Sequence, residues 1–276
     1  MTDEEAFIVS GNPIWSPTML KKYLLKCTEP LKIGNIIGAY DPFLEENPKG
    51  FIKIWVEPIR GHDYVIGADV AEGLEMNSEG AKDNRTDFSS AYVLDRKTAE
   101  IVASWHGRLI GDQLGHQLEL LGRYYRTAFI GVERNHQGLL PLITLRDLNY
   151  PRLYYQEKFA MDSDQQTPKL GWYTDRFTRP LMIDEGSRWL REGRVKIYDE
   201  GLVDEMMSFV RYPDGQGRAA QGAYDDRVMS FLITLQMYVR NPYTSEGNDI
   251  EKEEDALQNM LFSTDKDSFI FDNFVF

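Results

Sequence analysis

Two short apolar runs, each ending in an acidic residue, constrain the fold of this chain most. One is YVIGAD at residues 64–69, and the other is AFIGVE at residues 128–133. Apolar runs of this length are typical of strands that are buried on both faces of a sheet. Because sites in open α/β sheets form at the carboxyl ends of strands, Asp69 and Glu133 are expected to lie at the same edge of the sheet.

The segments around these runs predict a mixed α/β sheet. Residues 89–95 (SSAYVLD) and 100–105 (EIVASW) alternate in polarity and are joined by a polar turn, which predicts a hairpin. Further patterns predict strands at 152–156 and 195–198, and helices at 110–125, 139–148, 177–192, 202–210 and 226–239. This order favours an α/β fold with three antiparallel N-terminal strands, then parallel strands, and helices on both faces.

The chain divides by composition into three parts. Residues 1–58 are rich in Pro and Gly, and we expect an N-terminal arm or linker with a short helix near 17–25 and a hairpin around 49–57. Residues 59–243 hold the strongly patterned elements and are expected to form the main domain. Residues 244–276 carry a net charge of −7 and predict a solvated acidic tail, although their aromatic end also fits a segment that docks on a partner.

The bulk composition restricts the class of protein only loosely. No apolar run approaches the ~20 residues of a membrane-spanning helix, and the acidic start MTDEEAFIVSGNPIW is unlike a signal peptide. The one cysteine, Cys27, has no partner for an internal disulfide, which fits a cytosolic protein. The net charge is −13 overall but −4 in residues 59–243, so charge neither requires nor excludes a nucleic-acid partner.

Asp225 and Asp226 are two further acids placed where they could meet Asp69 and Glu133. They stand directly before or at the start of the apolar helix predicted at 226–239. Carboxylates at two strand ends and one helix start can share a cleft, and their hard oxygens suit Mg²⁺ or Mn²⁺. Two such ions, about 3.5–4 Å apart, support phosphodiester hydrolysis. The alternative is that each acid only caps a helix or ends a turn.

Four motifs in order resemble the nuclease domain of tailed-phage large terminases. They are GADVAEG at 67–73, TDFSSAYVLD at 86–95, GVERNHQG at 131–138 and GAYDDRVMSFLITL at 222–235. The opening EEAFIVSGNPIW at 4–15 resembles the segment that follows the ATPase domain in such proteins, so the resemblance runs from about residue 4 to 239. The E-x-N-x-x-G and G-x-x-DD blocks are fairly specific together and weak alone.

The resemblance implies an RNase H-like domain that cuts double-stranded DNA during genome packaging with Mg²⁺ or Mn²⁺. By position, Asp69 resembles the metal-binding aspartate of the first strand, and Glu133 resembles the acid of the fourth strand. Asp226 resembles the aspartate of the terminal helix, with Asp225 beside it as a ligand or support. Asp87 resembles a further acid near the second strand that supports the ligands from outside; a turn residue at the strand start is the alternative.

The implied partners are double-stranded DNA, a packaging ATPase domain, the small terminase and the portal, all in the host cytoplasm and without a membrane. The sequence departs from the family in one respect, because it contains no GxxxxGK[ST] motif and therefore no recognisable motor. Residues 71–86 also form a long connection after the first strand, which fits either a loop near the cleft or a surface insertion.

Several basic residues are candidates for contacts with DNA phosphates, although each also fits a solvated surface side chain. They are Arg134, Lys158, Arg176, Arg179, Arg211, Arg218 and Arg227. Two other functions stay open on the sequence alone. One is a Holliday-junction-resolvase-like or transposase-like nuclease with the same metal chemistry, and the other is a non-enzymatic module that docks on a portal or capsid.

Overall fold

The computed structural model describes residues 12–71, 88–109, 111–134, 138–156 and 168–241. Residues 12–58 and 62–241 of this described part belong to one compact unit. The predictions for Asp87, Lys158 and the acidic tail fall outside the described residues. No helix among those described is both long enough and apolar enough to cross a membrane.

Strands and helices alternate through most of the described chain. The helices are α1 (Pro17–Leu24), α2 (Gly111–Tyr124), α3 (Leu139–Asp147), α4 (Thr178–Arg191), α5 (Glu200–Met207) and α6 (Asp226–Arg240). The strands are β1 (Lys32–Ile37), β2 (Phe43–Glu46), β3 (Ile52–Ile54), β4 (Tyr64–Asp69), β5 (Ser89–Asp95), β6 (Glu100–Gly107), β7 (Phe129–Val132), β8 (Tyr155–Gln156), β9 (Lys169–Leu170), β10 (Phe209–Arg211) and β11 (Gly217–Ala219).

The predicted mixed sheet is confirmed, and it has seven strands in the order β2-β1-β3-β6-β5-β4-β7. Strands β4, β5 and β6 are antiparallel neighbours, and β7 runs parallel to β4. The backbone N–H of Glu133 donates to the carbonyl oxygen of Ala68 at 2.8 Å, which extends the parallel pairing by one residue. The carboxyl ends of β4 and β7 therefore lie side by side.

Two predicted strands and one helix are shorter than expected. Residues 152–156 give a parallel bridge at Leu153 and the two-residue β8, and residues 195–198 give a bridge at Lys196. The helix predicted at 202–210 ends at Met207, because Phe209 begins a strand that pairs with β11. Pairing with distant residues decided these boundaries, and local periodicity does not report such pairing.

The segment up to residue 58 adds three strands to the main sheet. Its helix lies where it was expected, but the hairpin predicted around 49–57 is wrong, because the hairpin is formed by β1 and β2. Strand β3 instead lies between β1 and β6, where Ile52 pairs with Trp105 and Ile54 pairs with Ala103. Both isoleucines are fully buried, so this segment contributes to the common core.

Helices cover both faces of the sheet, as predicted, and α6 crosses one face closely enough to require glycine beneath it. A Cβ on Gly67 of β4 would lie 2.2 Å from the backbone nitrogen of Thr234, and a Cβ on Gly131 of β7 would lie 2.0 Å from the sulfur of Met237. Real side chains do not tolerate such distances, so glycine permits this approach. The helix is thereby fixed over β4 with its first residue near the carboxyl end of that strand.

Candidate active site

Asp69 and Glu133 meet at the carboxyl edge of the sheet, as their positions in the sequence predict. Asp69 is the last residue of β4, and Glu133 directly follows β7. The two carboxyl groups share a hydrogen bond, and Glu133 is only 6% exposed. Burial raises the pKa of Asp69 well above its usual range, and the charge and hydrogen bond of Glu133 add to this effect. Such a pair keeps a proton between its members unless a cation replaces it.

Asp226 completes the acidic cluster from the opposite side. It is the first residue of α6 and is 9% exposed, and its charge also raises the pKa of Asp69. The N-terminal end of a helix carries a partial positive charge that favours a carboxylate there. Asp225 occupies the capping position, but its side chain makes no capping hydrogen bond to this helix. Helix capping therefore does not account for the side chain of Asp225.

Asp225 is held by Arg179 and by the hairpin of β10 and β11. Its Oδ2 accepts a hydrogen bond from Nη2 of Arg179 at 2.9 Å and a longer one from the backbone nitrogen of Ala219 at 3.3 Å. The Nε of Arg179 donates to the carbonyl oxygen of Gly217 at 2.9 Å. Arg179 was a candidate for phosphate contact on sequence, whereas the structure places it as a clamp that joins α4, the hairpin and the residue before Asp226.

The donor chemistry of the cluster fits a hard divalent cation, but a complete coordination shell is not formed. Within the described residues, no group of three or more His, Cys, Asp or Glu side chains is arranged so that it could hold a metal ion. Asp69, Glu133 and Asp226 nevertheless lie close enough for Asp69 to respond to both neighbours. Carboxylate oxygens are the ligands that Mg²⁺ and Mn²⁺ prefer.

Buried serines connect the cluster to the neighbouring strand. Ser90 lies opposite Asp69 in the β4–β5 pairing, and Oγ of Ser230 on α6 donates to Oγ of Ser90 at 3.0 Å. The backbone nitrogen of Ala71 donates to Oγ of Ser89 at 3.1 Å. Sequence reasoning missed these contacts, and the only signal was the pair of serines that starts an otherwise apolar strand.

The arginines predicted to contact DNA differ in their surroundings. Arg211 and Arg218 are exposed on the β10–β11 hairpin, where the guanidinium of Arg218 lies 4.1 Å from the ring centre of Tyr212. Arg134 is partly buried next to Glu133. Arg227 turns inward, and its Nη1 contacts Oε1 of Glu205 on α5 at 2.7 Å.

No protein-family model matches this chain, and no curated protein sequence matches it. Among solved structures, the large terminase nuclease of thermophilic phage G20c is similar, with a TM-score of 0.51, 18% identity, and coverage of 82% of this chain and 98% of that one. Its form with bound magnesium gives a TM-score of 0.54 and 19% identity, over 82% of this chain and 97% of that one.

The large terminase nuclease domain of Thermus phage P74-26 is similar over 81% of this chain and 94% of that one, with a TM-score of 0.50 and 17% identity. At these identities the likeness concerns the fold alone. The chain therefore has the RNase H-like fold of large terminase nuclease domains, as the sequence motifs led us to expect.

Proposed function

We propose that this chain is the nuclease part of a large terminase, an endonuclease that cuts double-stranded viral DNA during genome packaging with the help of divalent metal ions. The observation that carries the proposal is the hydrogen-bonded pair of Asp69 and Glu133, with Asp226 nearby, at the carboxyl edge of the sheet. Three acids that raise one another's cost of ionisation are expensive to keep in a folded protein, and a cation offsets that cost.

Asp69, Glu133 and Asp226 would hold the metal, which we propose to be two Mg²⁺ or Mn²⁺ ions. When bound, such ions supply an activated water and neutralise charge on the phosphodiester. The backbone of Glu133 is tied to Ala68, so its carboxylate is presented from a rigid strand end. Asp225, neutralised in part by Arg179, would anchor the start of α6 and so orient Asp226.

The proposed partners follow from the same setting. The substrate is double-stranded DNA, and the solved G20c nuclease with bound magnesium is consistent with a metal-dependent reaction. We further propose that the domain works with a packaging ATPase domain, a small terminase and a portal in the host cytoplasm. A junction resolvase would share the chemistry but would prefer four-way junctions to linear duplex. A docking module would have no use for a buried acid pair.

Plasmid digestion with Mg²⁺, Mn²⁺ or Ca²⁺ tests the proposal. The wild type should cut with Mg²⁺ or Mn²⁺ and little with Ca²⁺, because the flexible coordination of Ca²⁺ holds reacting groups less tightly. Asp69→Asn, Glu133→Gln and Asp226→Asn should each lose roughly 100-fold or more of the rate. Asp184→Asn makes the same change at an exposed position of α4 and should cut normally. A wild type that neither binds Mn²⁺ nor cuts plasmid would refute the proposal.

A further inference from the structure

A group of aromatic and basic side chains lies beside the acidic cluster, at the same edge of the sheet. Ser90 pairs with Asp69 on one side and with His106 on the other. Residues directly opposite one another in antiparallel strands project from the same face of the sheet. His106 is therefore two strands away from Asp69 on the face that α6 covers, a separation of about 10 Å at the usual strand spacing.

Four side chains pack together around this point, and we call them the Phe88 cluster: Phe88, His106, Arg108 and Tyr224. The ring of Phe88 stacks on His106 with centroids 4.6 Å apart and an interplanar angle of 18°. The guanidinium carbon of Arg108 lies 4.0 Å from the centre of the same ring. Tyr224 meets Phe88 edge-on, with ring centres 6.0 Å apart. The members come from three separate chain segments, and Tyr224 stands two residues before Asp226.

Arg108 is the exposed cation of this cluster. Among the described residues, no carboxylate is paired with it, whereas Arg179 and Arg227 are already bound to Asp225 and Glu205. Packing against an aromatic ring fixes a guanidinium in advance, so less side-chain entropy is lost when its N–H groups meet an acceptor. The planar fork of donors matches phosphate oxygens in a bidentate geometry.

We propose that the Phe88 cluster is a docking point for the DNA backbone, where Arg108 binds a phosphate that flanks the one to be cut. This inference rests on the proposed nuclease function and names part of its substrate-binding surface. A carboxylate cluster repels an approaching polyanion, and a fixed cation about 10 Å away offsets that repulsion while leaving the metal ligands free. His106 and Phe88 support Arg108 from below, and the exposed side of Tyr224 borders the same surface.

Binding of a fluorescent duplex, measured by anisotropy in Ca²⁺ over a range of salt concentrations, tests the docking point. Arg108→Gln keeps a planar group over Phe88 but removes the charge, and it should weaken binding roughly tenfold. It should also lower the slope of log K against log salt by about 0.9. Arg108→Lys should recover part of the loss. Arg146→Ala, on the opposite face with an exposed side chain, is the matched control and should bind as the wild type does.

Binding by Arg108→Gln with the affinity and salt slope of the Arg146→Ala control would overturn the inference. Thermal unfolding of each variant identifies any loss that arises from misfolding, and Arg108→Ala provides a second uncharged variant. Cleavage in Mn²⁺ separates the two proposals. If the wild type cuts DNA and Arg108→Gln shows an unchanged KM, only the docking point fails. If the wild type binds through Arg108 but never cuts, the docking point stands and the nuclease function fails.

Discussion

Replacement of Asp69 by asparagine should stabilise the metal-free protein although it removes a proposed metal ligand. The carboxyl of Asp69 is hydrogen-bonded to Glu133 and feels the charges of Asp226 and Asp225. Asparagine has nearly the same shape and retains an N–H donor for Glu133, but it carries no charge. The substitution therefore removes an electrostatic cost and creates no cavity.

The size of the gain can be bounded from the geometry. Two unit charges about 4 Å apart repel by about 4 kcal/mol at an effective dielectric constant near 20. Proton uptake by the pair relieves part of this repulsion, so we expect Asp69→Asn to gain about 1–4 kcal/mol. For a domain of this size, each kcal/mol raises Tm by about 2–4 °C.

The gain should depend on pH in a defined direction. Because the folded-state pKa of Asp69 lies above the ordinary value of 3.8, the native state binds more protons than the unfolded state between those two values. The stability of the wild type therefore falls as the pH rises through this window. Below pH 3.8 the carboxyl is neutral in both states, so the difference between wild type and Asp69→Asn should vanish there and grow as the pH rises.

Urea or thermal unfolding in the presence of a chelator, repeated from acid to pH 8, measures this difference. Asp184→Asn serves as the matched control, because it removes a carboxylate from an exposed position of α4. A variant Asp69→Asn that is less stable than the wild type at pH 8 would refute the reasoning. A difference that does not change with pH would do the same, since the gain would then have another source.

Three further outcomes follow from the site and its support. Mn²⁺ at about 100 times its Kd should stabilise the wild type by about 2.7 kcal/mol, and Asp226→Asn should lose most of this in thermal unfolding. Arg179→Ala leaves a half-buried Asp225 without its cation, so we expect a loss of about 1–3 kcal/mol in urea unfolding and a lower kcat in the cleavage assay. Gly67→Ala places a methyl group 2.2 Å from the backbone of Thr234, so it should cost about 1–3 kcal/mol and displace α6.

Each of these outcomes has a matched comparison. Metal stabilisation that persists in full in Asp226→Asn would remove that residue from the ligands. Arg179→Lys keeps a cation near Asp225 and should lie between the wild type and Arg179→Ala; equal losses in both variants would show that charge is not the cause. A second variant, Ala68→Gly, removes a methyl group next to Gly67 without adding bulk, and its activity should fall less than that of Gly67→Ala.

Local patterns predicted the parts of this fold that depend on local periodicity. The strand at Tyr64–Asp69 and the hairpin partner Ser89–Asp95 have the bounds that the sequence predicts. The outer strand β3 was missed because its two isoleucines are explained only by their pairing with Trp105 and Ala103, which lie about fifty residues away. Alternation over three residues carries too little information to reveal such a partner.

The site shows the same division. The meeting of Asp69 and Glu133 follows from two apolar strands that end in acids, because parallel neighbours bring their carboxyl ends together. The clamp of Arg179 on Asp225 joins residues 46 positions apart, and no motif announces it. Likewise, nothing in the sequence distinguishes the inward Arg227 from an exposed arginine, because its partner Glu205 lies on a different helix.

The close seating of α6 on Gly67 also bears on when the active site can exist. β4 and β7 are complete once residue 133 has been made, but α6 and Asp226 are the last described elements of the chain. At about 5–20 residues per second, a ribosome needs several more seconds to deliver them. Until then, the face of β4 that α6 covers has no lid, and Asp69 and Glu133 lack their third acid. The nascent chain is therefore expected to be both incompletely folded and unable to cut DNA until its synthesis is nearly finished.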